Sequence, residues 1–354
     1  MLLFLTYSSL FFLLPLSCTP SPATAKPTIP TNLKSNNYTH GWRRFEKLVH
    51  AKRGSHICGI SLLKSYFHRF GYLSGQQDRN YSEEFDSDLE LAVIRYQEKH
   101  GLEVSGTLDP KTISAIMSPR CGISDSVKSG LHTTERYVYF PGHPRWFRQI
   151  PMTLTYAFSA ENLIPYMSLE DISSAFRRAF SKWESVIPVR FEETGDYGSA
   201  DIRIGFYGGE HGDGQPFDGV LGVLAHAFSP PSGKFHLDAD ERWAVDFERE
   251  KSKVAVDLES VALHEIGHVL GLAHSTVREA VMYPSLKPRE KKLDLTLDDV
   301  EGVQALYGSN PNFTVESLQE YSETSNSYHP AVDLRHRSTK WAMFLAVPIL
   351  YFFM

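Results

Sequence analysis

The segment Val261–His274, VALHEIGHVLGLAH, sets three histidines and one glutamate into an otherwise apolar run. On a helix over Leu258–Leu270, His264 and His268 stand four residues apart and share one face, a turn from each other. Two imidazoles so related can hold one metal ion, and Glu265, beside the first, can reach a water on that ion without being a ligand. Gly271 suits the left-handed residue at which helices commonly end, turning the chain back so that His274 approaches the same ion. Three neutral imidazoles leave one position of a tetrahedral zinc open, the layout of a hydrolytic centre with Glu265 as general base. Two core histidines would be the plainer account of a bare HExxH; the third histidine at the extended spacing and Met282 in AVMYPS weigh against it. Gly267 is less informative, since a glycine there could simply permit close packing.

Such a centre needs a frame, and hydrophobic periodicity supplies one. Apolar residues recur at three and four in Trp42–His50, Ile60–Phe70, Asp88–His100 and Asp109–Met117, the last with Pro110 in its first turn, so a small all-helical domain is expected. From about Tyr137 the pattern changes. Met152–Phe158, Val189–Glu193, Ala200–Tyr207 and Val223–Ser229 read as strands, Ser168 opens a helix with Leu169, Ile172, Ala175, Phe176, Ala179 and Phe180 on one face, and Leu297–Tyr307 closes the domain before Gly308. The Gly- and Asp-rich stretch Gly205–Gly222 has loop composition. With 354 residues, 42% of them hydrophobic and 22% charged, the chain can bury a core in two folded units. A formal charge of −6 carries no basic excess, and no nucleic-acid partner is expected.

HEIGHVLGLAHS followed by VMYP resembles the matrixins, the matrix metalloproteinase family. PRCGISD (Pro119–Asp125) is similar to that family's cysteine-switch motif, and PFDGVLGVLAHAF (Pro216–Phe228) to its metal-loop and edge-strand region. The resemblance covers about residues 42–308; without a haemopexin-like repeat, it is closest in layout to a plant-type member. It implies an α+β metzincin catalytic domain, a twisted mixed sheet with three helices, preceded by a small all-α prodomain. The implied activity is that of a latent zinc endopeptidase acting on an extended protein chain, expected to be a monomer. His264, His268 and His274 would bind the catalytic zinc, with Met282 as the Met-turn and Cys121 on the ion in the latent form only; Arg120 and Asp125 would pair to hold that loop. A Cys58–Cys121 disulfide is the alternative for that thiol.

The same resemblance implies a structural zinc at His211, Asp213, His226 and His236. It also implies at least one calcium at Asp218, Asp238 and Glu241 with backbone oxygens of Gly219, Leu221 and Val223. Solvated loop charges are the alternative for the acids. At a further calcium position Asp201 and Asp240 match, but Lys234 stands where the family carries an aspartate, and no ion is expected there. Tyr283–Leu295 would wall an apolar specificity pocket favouring Leu-like side chains after the scissile bond.

The ends read as targeting segments. Residues 1–25 suit a signal peptide, with a buried N-terminal helix as the alternative. The uncharged run Trp341–Met354 is shorter than the ~20 residues of a spanning helix. With Ser325, Asn326 and Ser327 upstream as attachment candidates, it suits a glycosylphosphatidylinositol signal, a tail anchor or buried helix being the alternatives. The expected organisation is signal peptide 1–25, propeptide 26–136, catalytic domain 137–308, linker 309–330 and attachment signal 331–354. This predicts the extracellular side of the plasma membrane, or secretion, with Asn37, Asn80 and Asn312 as glycosylation acceptors. Two rivals are a cell-wall glycan-binding module, because Ile94–Met117 resembles peptidoglycan-binding-like domains, and an inactive metal-stabilised adhesion protein.

Overall fold

The structure, a computed structural model, describes residues 41–75, 80–125 and 137–315. The expected signal peptide, Asn37, Ser325, Asn326, Ser327 and the C-terminal apolar run lie outside the described residues. One compact unit runs to Phe313 and contains both the helical region and the catalytic region; of a second unit, from Thr314, only Thr314 and Val315 are described.

The helical region opens with a 3₁₀ helix over Gly41–Leu48, where an α-helix was expected. Trp42, Phe45 and Leu48 are its buried residues, and their strict spacing of three suits three residues per turn. Helices α1 (Ile60–Arg69), α2 (Ser87–Lys99) and α3 (Pro110–Ile116) follow. Asp86 caps α2 by accepting the Leu89 N–H at 2.9 Å, and Asp109 caps α3 through Lys111 N–H at 2.8 Å, with Pro110 already shaped for the first turn. Phe67, Phe70, Phe85, Leu89 and Tyr96 fill the space between the helices, and the same cluster continues into Phe217 and Val223 of the catalytic region. Each buried Phe or Leu contributes about 1.5–3 kcal/mol relative to exposure, so this shared apolar surface holds the two regions together.

After the two-residue strand β1 (Arg120–Cys121), the catalytic region runs β2 (Met152–Phe158), α4 (Leu169–Val186), β3 (Val189–Glu193), β4 (Ile202–Tyr207), β5 (Val223–Ala227) and β6 (Lys234–Asp238). It ends with β7 (Trp243–Ala244), β8 (Val256–Asp257), α5 (Leu258–Val269) and α6 (Leu297–Tyr307). The main sheet has the order β1-β5-β6-β4-β2-β3, parallel throughout except for β5 against β6. This is the mixed sheet with three helices that the resemblance implied. Strand β6 was not anticipated: Phe235, His236, Leu237 and Asp238 are all buried, so it lacks the alternation that marks a half-exposed strand. Helix α4 lies against α5, where Trp183 Nε1 donates to Leu263 O at 2.9 Å, and its Phe176 and Phe180 reach Phe235 and Tyr156 of the sheet. Among the described residues no helix is long and apolar enough to cross a membrane.

Candidate active site

Helix α5 starts at Asp257, whose carboxylate accepts the Ser260 N–H at 2.9 Å, and every residue from Leu258 to Val269 is buried. Its end follows the expected turn. Val269 is the last helical residue and Leu270 the C-cap; Gly271 takes φ 107°, and a Cβ there would lie 2.1 Å from Pro144 O, so both conformation and space require glycine. The chain then returns and His274 joins His264 and His268. His268 Nε2 and His274 Nε2 lie 3.1 Å apart, and Cys121 Sγ lies 3.4 Å from His268 Nε2. One ligand atom from each of Cys121, His264, His268 and His274 falls within 4.8 Å of the others.

The proton positions fix which nitrogens face inward. His264 Nδ1 donates to Val281 O and His268 Nδ1 to Leu272 O, both at 2.7 Å, while His274 Nδ1 donates to Asp125 Oδ1 at 2.7 Å. The three Nε2 atoms therefore turn lone pairs toward a common point, and His264 Nε2 is buried with no hydrogen-bond partner. Burial and mutual repulsion hold His264 and His268 well below the usual histidine range, and burial brings His274 down to about 4, so all three are neutral. Three imidazole lone pairs converging beside a thiol are the nitrogen and sulfur donor set that suits a tetrahedral zinc.

Glu265 is fully buried, and neither of its oxygens makes a hydrogen bond of ordinary geometry. Burial pushes its carboxyl up to about 8, with the Cys121 thiol and the Ala227 N–H drawing it back. Below the helix Met282 is buried, and a Cβ on Gly267 would come 2.2 Å from its sulfur, so Gly267 is there to let the methionine approach. Asp299, on α6, accepts the N–H groups of Val281 and Met282 at 2.9 Å each and closes a reciprocal cap with Thr296. Sequence reasoning missed this brace, although Thr296-x-x-Asp299 carries the capping-box spacing that could have flagged it.

Cys121 is a free, buried thiol, so the Cys58–Cys121 disulfide is excluded. Its segment is hydrogen-bonded on both sides. Arg120 N–H donates to Gly222 O at 3.0 Å and Gly122 N–H to Ala225 O at 2.8 Å, forming a parallel extension of β5. On the other side Cys121 N–H donates to Pro284 O at 2.9 Å and Leu286 N–H to Pro119 O at 3.1 Å. Arg120 Nη2 pairs with Asp125 Oδ1 at 2.6 Å, and its guanidinium lies 3.8 Å from the Phe70 ring centre. Burial alone would raise the Asp125 carboxyl, but Arg120 together with His100 and His274 holds it well below the carboxylate range. Beside Cys121 a narrow slot is lined by Leu224, Val261, Val281, Pro284 and Leu286, with Tyr283 and Lys292 in its wall.

The second histidine set also converges. Asp213 Oδ2 lies 2.9 Å from His211 Nε2, 2.8 Å from His226 Nε2 and 2.8 Å from His236 Nδ1. His211 Nε2 and His236 Nδ1 are 3.1 Å apart, a crowding of ring nitrogens that suits a shared cation. These are the two such clusters among the described residues. Asp218, Asp238 and Glu241 gather around the loop with Val223 N–H, Gly219 N–H and Leu221 N–H on their oxygens, and Glu241 Oε2 is buried without a partner. Burial first, then repulsion from neighbouring carboxylates, Asp240 and Asp218 for Asp238 and Asp238 and Asp218 for Glu241, lifts Asp238 to about 7 and Glu241 to about 9. At the further position Arg148 donates to both oxygens of Asp201, so that carboxylate already carries a fixed cation. Asn80 and Asn312 are exposed.

A buried glutamate among three inward-facing imidazoles, beside a two-sided slot for an extended chain, defines a zinc-dependent peptidase. The chain belongs to the matrixin family of zinc metalloendopeptidases. The matrixin family model matches residues 145–308, and a model described as a putative peptidoglycan binding domain matches 59–116. Metalloendoproteinase 4-MMP of Arabidopsis thaliana is 55% identical over 83% of this chain and 85% of its own length. Metalloendoproteinase 1-MMP of the same plant is 53% identical over 80% of this chain and 78% of its own. Interstitial collagenase of Oryctolagus cuniculus is 40% identical over 61% of this chain but only 42% of its own length, so the plant proteins are matched over far more of their length than the animal one.

Proposed function

We propose that the chain is an exported, latent endopeptidase whose propeptide occupies its own substrate groove. The observation that supports this reading most directly is the seating of residues 119–122, bonded to β5 on one side and to Pro284–Leu286 on the other. That slot offers backbone partners to any extended peptide, while specificity falls to the apolar pocket beside it. His264, His268 and His274 would hold the catalytic zinc, which when bound polarises the scissile carbonyl and acidifies the attacking water. Glu265 takes a proton from that water and gives it to the leaving amine; its raised carboxyl and its burial suit a group that changes protonation at each step. Cys121 Sγ keeps substrate and water from the centre until residues 26–136 are removed.

His211, Asp213, His226 and His236 would hold a second, structural zinc. The Asp218, Asp238 and Glu241 carboxylates, with carbonyls of Gly219, Leu221 and Val223, would hold a calcium. The buried surplus of negative charge there supports a cation. A signal peptide over 1–25, glycans on Asn37, Asn80 and Asn312, and lipid attachment at Ser325, Asn326 or Ser327 complete a monomeric enzyme on the outer face of the plasma membrane. Its substrates would be extracellular or cell-surface proteins.

The test uses the full chain and a quenched peptide with Leu after the scissile bond. The intact wild type should be silent and the same chain freed of residues 26–136 by limited proteolysis should cleave, whereas Glu265→Gln treated alike should bind as much zinc and lose about 10²-fold or more in rate. A silent, zinc-loaded processed chain, also inactive on a mixed peptide library, or an intact chain as active as the processed one, would overturn the reading.

A further inference from the structure

The three candidate zinc-binding imidazoles are not held alike. His264 and His268 donate their Nδ1 protons to Val281 O and Leu272 O, backbone acceptors that belong to the catalytic region and remain with it after processing. His274 donates instead to the Asp125 carboxylate at 2.7 Å, the acceptor the structure gives its Nδ1, and Asp125 lies in the propeptide. Both side chains are buried.

Asp125 is itself tightly placed by the helical region. Its N–H donates to Phe70 O at 3.1 Å, and Arg120 Nη2 reaches Oδ1 at 2.6 Å. Tyr72 OH donates to Oδ2 at 2.6 Å and is in turn 3.1 Å from His100 Nε2, at the end of α2. The fold of α1 and α2 thus sets the position of one carboxylate, and that carboxylate sets the tautomer and tilt of His274. A carboxylate acceptor on the far nitrogen also makes an imidazole a better donor to a metal than a neutral acceptor does.

We propose that Asp125 is a positioning residue for the catalytic metal, so that the propeptide strengthens zinc binding through His274 independently of the Cys121 thiol. The inference rests on the reading that His264, His268 and His274 hold zinc. Processing then removes two supports at once, the sulfur at the ion and the carboxylate behind the third imidazole. The latent chain keeps its metal more firmly than the processed one, and part of that difference survives without Cys121.

The experiment follows zinc release from the full-length chain to a chromogenic chelator, with Cys121→Ser in every sample so that the thiol contributes nothing. His264→Ala identifies which kinetic phase belongs to this centre and which to the second zinc. Asp125→Asn should speed that phase by about 10- to 100-fold. Arg120→Met, which breaks the ion pair but leaves a carboxylate on His274, should change it far less. Equal acceleration by both variants would mean that docking of the propeptide matters and the His274 contact does not, and no acceleration by Asp125→Asn would sink the idea directly.

A second readout needs no substitution at Asp125. In the zinc-loaded latent chain with labelled histidines, the Nδ1–H resonances of His264, His268 and His274 should all be protected. Proteolytic removal of the propeptide should expose that of His274 to exchange and spare the other two. Retention of all three overturns the proposal. If instead no release phase is lost in His264→Ala, the zinc reading itself fails, an outcome distinct from a metal-bound centre indifferent to Asp125.

Discussion

Replacing Asp299 by alanine tests how the turn beneath the metal is held. The Asp299 carboxylate is buried and accepts four hydrogen bonds, from Val281 N–H and Met282 N–H at 2.9 Å and from Thr296 N–H and Oγ1–H at 2.8 Å. Alanine leaves the two turn N–H groups unpaired, at about 1–3 kcal/mol each, and removes half of a reciprocal cap, at about 0.5–2 kcal/mol. Partial relaxation offsets some of this, and the expected loss is about 3–6 kcal/mol. The measurement is urea unfolding of the full chain followed by tryptophan fluorescence, both proteins saturated with zinc and calcium so that ligand linkage is the same. Because Val281 O orients His264, the variant should also release zinc faster. Asp299→Asn keeps one acceptor oxygen and should recover about half of the loss. A cost below about 1 kcal/mol for alanine would refute the claim that Asp299 braces the turn.

Gly267→Ala should destabilise by about 1–3 kcal/mol although alanine favours helices, because its Cβ would displace the Met282 sulfur; a thermal melt that rises instead would refute the packing account. In calcium-free protein, Asp238 and Glu241 sit at about 7 and about 9, above their ordinary unfolded values near 3.9 and 4.3. The folded state then binds more protons than the unfolded one, so their contribution to stability should fall as pH rises from about 4 to about 9, and calcium should flatten the decline in a melting series. Arg148→Met should cost only about 0.2–1 kcal/mol, as expected for a partly exposed ion pair. Added calcium should not restore it, since Lys234 still stands in place of the aspartate that the family carries; full rescue by calcium would mean the Asp201 position can hold an ion after all.

Much of the site was legible because it is local. The four-residue separation of His264 and His268, the glycine that ends α5 and the return to His274 follow from helix geometry over fourteen residues. The helix over Leu169–Val186 was visible through its cap at Ser168 and its apolar face. Strand β6 was hidden because it is covered on both faces and spends His236 and Asp238 on the loop sites, so neither alternation nor an apolar run survives in KFHLD. The helix expected at Trp42–His50 is present but wound as a 3₁₀ helix over Gly41–Leu48, because buried residues every three positions also satisfy a 3₁₀ turn. What no local pattern contains is the meeting of Asp125 with His274, 149 residues apart in sequence, which only the docking of the helical region creates.

The parallel pairing of Arg120–Cys121 with β5 has a consequence for the life of the chain before any substrate arrives. β5 is otherwise the outermost strand of its sheet, five buried residues long, and a strand of that kind with open N–H and C=O groups is a template for joining other extended chains. While residues 119–122 are in place those groups are paired within the same molecule. A folding or newly folded chain therefore carries its own guard against sheet-to-sheet association. The proposed removal of residues 26–136 would expose the edge together with the groove, so a processed chain should be the form more prone to self-association at high concentration.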